Sequence, residues 1–101
     1  MPELFEPTEE MARAARQGLL MRRGSPRSGQ GGTSVGLARA RQFSQRRPVS
    51  LDIVRRTYSF LSRARTYYRP GQNTPGTQAY LLWGGIPALA WAKRILKQQE
   101  K

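Results

Sequence analysis

Arginine supplies all but three of the 18 basic side chains in this chain, the exceptions being Lys93, Lys97 and Lys101. Between Glu10 and Glu100 they face one carboxylate, Asp52, and the formal net charge is +12. A planar guanidinium grips phosphate with two hydrogen bonds and stacks on aromatic rings, which an ammonium group does not. The chemistry these residues could do is therefore the capture of polyanions, nucleic acid above all. Arg39, Arg41, Arg55, Arg56, Arg63 and Arg69 are the candidate phosphate contacts, with Lys93, Arg94 and Lys97 as a secondary surface. Tyr67 and Tyr68 precede Arg69 directly, a combination able to stack on bases and hold a phosphate, as single-strand binders do. The alternative for those rings is that one tyrosine packs back on the core. No residue set promises readout of base edges, so little sequence preference is expected, with DNA favoured over RNA as the partner.

Other chemistries lack their residues. The chain has no cysteine and no histidine, which removes disulfides, thiolate metal sites and the commonest general base at neutral pH. Asp52 has no acid–base partner nearby in sequence. Its place in the first turn of a helix explains it through the helix dipole. We expect no catalytic residues, no metal site and no cofactor. No apolar run approaches the roughly 18 residues of a membrane span, and the bases run through loops as well as helices, so no membrane partner is expected. The acidic first ten residues resemble neither a secretory signal nor an Arg-rich transit peptide, which points to the cytoplasm.

The elements that must position these side chains are helices. With 101 residues, 38% of them hydrophobic, and 10 glycines and 7 prolines, there is room for one small domain with a thin core. Thr8 caps a helix opened by Glu9 and Glu10, with Met11, Ala15, Gly18 and Leu19 as its apolar stripe and Arg22–Arg23 at its end. Residues 24–32 (GSPRSGQGG) read as a flexible linker. Thr33 caps a second helix to Ser44, with Val35, Ala38 and Phe43 expected to face inward. Arg39 and Arg41, two residues apart, point different ways. Ser50 caps the third and strongest helix, carrying Val54, Tyr58 and Leu61 as its stripe with Ile53 and Phe60 beside it. Residues 66–76 read as an exposed loop. Thr74–Pro75 opens a fourth helix that ends at Gly84–Gly85, and Ile86–Pro87 opens a fifth, its core face built on Leu89, Ala92 and Leu96 with Ile95 and Ala88 beside them.

The expected architecture is thus all-α: a small bundle of four to five short helices. An N-terminal amphipathic helix spans 1–23, the linker 24–32, and a basic helical domain 33–101. The last two helices, joined across a glycine turn, fit a helix-turn-helix-like hairpin. Trp83 and Trp91 are expected to pack on each other or on the Val54–Tyr58–Leu61 stripe. The acidic segment 1–10 is expected either to fold back on the basic surface and compete with nucleic acid, or simply to cap the first helix.

One ordered set of residues carries a resemblance. Gly32-Thr33-Ser34-Val35-Gly36, Ala38-Arg39-Ala40-Arg41, Ser50 with Val54-Arg55-Arg56, Phe60 and Arg63, and, last, Pro75-Gly76 and Leu82-Trp83-Gly84-Gly85 with Trp91-Ala92 resemble a short domain recurrent in tailed-bacteriophage proteins, over about residues 31–95. That domain has no settled activity. Ala64 stands where its members commonly have a histidine, and Ile86-Pro87-Ala88 where acidic and glycine residues are usual. The resemblance implies a phage protein acting in the host cytoplasm or carried in the virion. Two alternatives to nucleic-acid binding follow: an assembly protein docking its basic surface on capsid proteins or packaged genome, and an inhibitor of a host enzyme.

Overall fold

Four hydroxyl side chains decide where the first four helices begin. In the computed structural model, which describes residues 3–100, the helices are α1 (Glu9–Arg23), α2 (Ser34–Ser44), α3 (Leu51–Ala64), α4 (Pro75–Leu82) and α5 (Gly85–Gln99). The hydroxyls of Thr8, Thr33, Ser50 and Thr74 accept hydrogen bonds from the amides of Met11, Gly36, Ile53 and Thr77, each three residues on. These caps satisfy amides that have no carbonyl partner inside the helix. α5 has no such cap and starts at Gly85, one residue earlier than expected. Gly84 turns the chain with φ 96°, and a Cβ there would lie 2.5 Å from that of Ala88. Pro87 then falls in the first turn, where its missing amide is no loss.

α1 packs against α2, α4 and α5, while α5 lies along α3. All five helices therefore share one core, in which α1 is a packing helix. Met11, Ala15, Ala40, Phe43, Val54, Leu61, Tyr80, Leu82, Ala88 and Ala92 are all fully buried. Among the described residues the only β pairing is the single bridge between Phe5 and Val49, and no helix is long and apolar enough to cross a membrane.

The inward faces of α2 and α5 differ from the expected ones. On α2 the buried residues are Gly36, Ala40 and Phe43, and Val35 is 48% exposed. Phe43 and the residues three and seven before it form one stripe, and Gly36 must be small because a Cβ there would sit 3.3 Å from the Trp83 Nε1. On α5, Ala88, Trp91, Ala92 and Ile95 are buried, while Leu89 and Leu96 are only half-buried. Trp91 rotates the helix, since burying an indole outweighs burying a leucine. On α3, Thr57 takes the core place expected of Tyr58, its hydroxyl donating to the Ile53 carbonyl at 2.8 Å. The two tryptophans meet phenylalanines instead of each other. Trp83 stacks on Phe60 at 5.0 Å, and Trp91 presents an edge contact to Phe43 at 5.9 Å.

Residues 24–32, expected to be a flexible linker, are tied down. Arg27–Gly29 form a 3-10 turn, and the buried Gln78 reaches across from α4. Its Oε1 accepts from the Gly31 amide at 2.8 Å, and its Nε2 lies within donating reach of Asn73 Oδ1, Ser25 Oγ and the Gly29 carbonyl. A buried amide is stable only where its polar atoms find partners, and the glycine-rich run supplies them.

Candidate nucleic-acid interface

Helix α3 has a basic flank on either side of its exposed face. At about 100° per residue, Asp52, Arg56 and Arg63 share one flank, Tyr58 lies on the other with Arg65 just past the helix end, and Arg55 stands on the exposed face between them.

The first flank lies within electrostatic reach of Arg39 on α2. Arg39 lies half-buried between the helices with its guanidinium 5.8 Å from the centre of the Trp83 ring, and its Nη1 donates to Gln42 Oε1 at 2.7 Å. Its buried Nε has no hydrogen-bond partner among the described residues. Burial first, and then the like charge of Arg56, pulls Arg39 below the ordinary arginine value, with Asp52 acting against them. The guanidinium stays charged all the same. Arg56 donates from Nε to Asp52 Oδ2 at 2.9 Å. So Asp52 has a second task besides the helix dipole: it orients an arginine. Stacked Phe60, Trp83 and Arg39 form the base of this flank. Arg63 continues it to an open hollow of about 330 Å³ lined by Phe60, Ala64, Tyr67, Gly76 and Ala79.

The second flank meets α5. Tyr58, Lys93, Leu96, Lys97 and Glu100 line an open hollow of about 360 Å³. Lys93 also borders the neighbouring hollow of Arg65, Ile86, Leu89 and Ala90. Tyr58 and Arg65 were missed by sequence reasoning, which placed Tyr58 in the core. Their signal was the seven-residue spacing of 58 and 65, which returns to the same edge of a helix.

The remaining candidates disperse. Arg41 points outward from α2 and shares a hollow with Gln42, Gln45 and Arg47. Arg94 lies about 100° round α5 from Lys93 but, three residues before Lys97, only about 60° from that lysine, on its far side from Lys93. The Tyr67-Tyr68-Arg69 run does not act as one platform. Tyr68 turns inward and stacks on buried Tyr80 at 4.7 Å, while Tyr67 remains 68% exposed. Burial raises the Tyr80 hydroxyl above its ordinary pKa. Arg69 folds its Nη1 onto the carbonyls of Thr66, at 2.6 Å, and Tyr68, which holds the loop rather than a ligand.

No protein-family model, curated protein or solved structure matches this chain. What the surface can do is set by its own residues. Among the described residues no three carboxylates gather as a metal site would require.

The acidic segment does fold back, but elsewhere. Glu9 pairs with Arg16 at 3.2 Å and with Arg13 and Arg46, and Glu6 pairs with Arg46 at 3.1 Å. None of these arginines is on either flank of α3. Arg46, at φ 54°, also donates from Nε to the Pro7 carbonyl at 2.8 Å. The hydrogen bond from Arg16, aided by the charges of Arg16, Arg13 and Arg46, holds Glu9 below the ordinary carboxylate value. Its pairs are therefore complete above that value and are lost as the pH falls through the lowered one. Replacing Glu6 and Glu9 by glutamine should change affinity for nucleic acid at low salt by no more than about threefold, since exposed pairs are weak and the freed arginines lie apart from the interface. A tenfold gain in a binding titration would show that the segment shields the binding surface after all.

Proposed function

We propose that this protein binds nucleic acid through arginine and lysine contacts to phosphate, with little sequence preference. The observation that carries the proposal is the placement of cations across the exposed side of α3: Arg39, Arg56 and Arg63 on one flank, Arg65, Lys93 and Lys97 on the other, and Arg55 between them. Among the described residues, the Asp52–Arg56 contact is the single ion pair that any of them makes. Unopposed charge held on a packed helix attracts a polyanion without the entropic cost of ordering a loop. The half-buried Arg39, held over the Trp83 ring and bonded to Gln42, supplies a fixed guanidinium beside the mobile ones.

Each phosphate neutralised releases counterions, so affinity must fall with salt. With about six phosphates engaged, log K against log salt should have a slope of roughly −5 on duplex DNA. A titration of duplex DNA, single-stranded DNA and RNA across salt concentrations checks this. A flat salt dependence, or no binding at low salt, would overturn the proposal. Replacing Arg39, Arg56 and Arg63 together by glutamine should make the slope shallower by about 3, at roughly one for each phosphate that is no longer neutralised.

A further inference from the structure

Resting on that phosphate-binding proposal, we infer that the hollow between α3 and α4 seats a nucleobase, so that the protein prefers single-stranded to duplex nucleic acid.

The hollow has the three parts such a site needs. Its walls are apolar: the ring of Phe60 and the methyl groups of Ala64 and Ala79. One edge is an aromatic ring left in solvent, Tyr67, which the packing of Tyr68 on Tyr80 does not draw inward. Arg63 stands at the rim, and no carboxylate is among the lining residues. A base brought to the ring could stack, while its phosphate met Arg63 and the next phosphates ran toward Arg56 and Arg39. Every base has a face to stack, so the site would tolerate any sequence, in keeping with a surface that offers no base-edge readout. A duplex keeps its bases stacked in the helix and would meet only the arginines.

Tyr67 is also set in place before any ligand arrives. It ends the 3-10 turn Arg65–Tyr67 that continues α3, and its main chain lies against Gly76, where an added Cβ would come within 2.9 Å of both its Cβ and its carbonyl oxygen. The bare backbone of α4 at Gly76 thus lets the tyrosine stand at the edge of the hollow. The main-chain share of the ordering cost at binding is correspondingly small.

The test compares an oligothymidine single strand with a duplex of equal length, by fluorescence anisotropy at low salt, for the wild type, Tyr67→Ser and Tyr67→Phe. The wild type should bind the single strand more tightly. Tyr67→Ser should weaken single-strand binding by about fivefold to a hundredfold, the range for loss of one stacked base, and leave duplex binding unchanged. Tyr67→Phe should restore it, because stacking needs the ring and not the hydroxyl. The thermal midpoints of the variants should match the wild type, as the side chain is mostly exposed. If Tyr67→Ser weakens both forms alike, or neither, or if the wild type favours the duplex, the base seat is wrong while phosphate binding stands. If the wild type binds neither form, phosphate binding fails and the base seat with it. Self-association that disappears in Tyr67→Ser would assign the hollow to a second copy of this chain and overturn the inference.

Discussion

Replacing Trp91 by alanine is expected to destabilise the fold by about 3–5 kcal/mol, the usual cost of deleting a buried indole. Trp91 is 4% exposed and joins three parts of the chain. It anchors α5, meets Phe43 of α2 edge-on, and donates from Nε1 to the Glu6 carbonyl at 3.0 Å, which holds the N-terminal segment against the bundle. Alanine removes all three interactions and leaves a cavity where α5 meets α2. A domain of this size has a total stability of roughly 5–15 kcal/mol, so the variant should be close to unfolding at physiological temperature. Its midpoint should fall by about 15 °C or more in thermal denaturation followed by circular dichroism. Trp91→Phe keeps much of the packing and loses the hydrogen bond, so about 1–2 kcal/mol is expected. A loss below about 1 kcal/mol for Trp91→Ala would mean that α5 can repack without the indole, against the close fit of the core.

Gly31→Ala should cost about 3 kcal/mol, the upper end for an overpacked site. A Cβ at Gly31 would lie 1.9 Å from the carbonyl oxygen of Pro75 and 2.5 Å from its carbonyl carbon. Those are backbone atoms of the first turn of α4, so relief requires a segment to move. Moving either one disturbs the hydrogen bond from the Gly31 amide to Gln78 and the one from Arg22 Nε to the Gly31 carbonyl at 3.0 Å. Gly29→Ala is the control within the same glycine-rich run. Its nearest neighbour would be Pro26 Cγ at an ordinary 3.8 Å, and little change is expected. Urea unfolding of both variants checks the contrast. Equal, small effects would show that residues 24–32 are a free connection after all, as their composition suggests.

Where helices begin was legible in the chain itself, because capping is local. Thr8, Thr33, Ser50 and Thr74 each hold an amide three residues on, a hydrogen bond that needs no other element. The all-helical class followed from the same local signals and from apolar spacing. Which face of a helix turns inward was a different matter. Periodicity offered Val35, Ala38 and Phe43 on α2 and Leu89, Ala92 and Leu96 on α5, and of these Phe43 and Ala92 are buried, while the contact of Phe43 with Trp91 turns Val35, Ala38, Leu89 and Leu96 away from the centre. The glycine-rich run looked free because its composition lacks apolar residues, and the partner that holds it, Gln78, lies 47 residues from Gly31.

The candidate interface divides in the same way. An excess of arginine, and hence attraction to phosphate, is a property of composition. Which arginines stand together is not. Arg39 and Arg56 come from different helices and become neighbours only because Trp83 and Phe60 stack beneath them. Tyr67 and Tyr68 are adjacent and chemically alike, and only the packing of Tyr80 against one of them leaves the other in solvent. Charge is additive along a chain, whereas position depends on contacts between residues far apart in sequence, and those exist only once the core has closed.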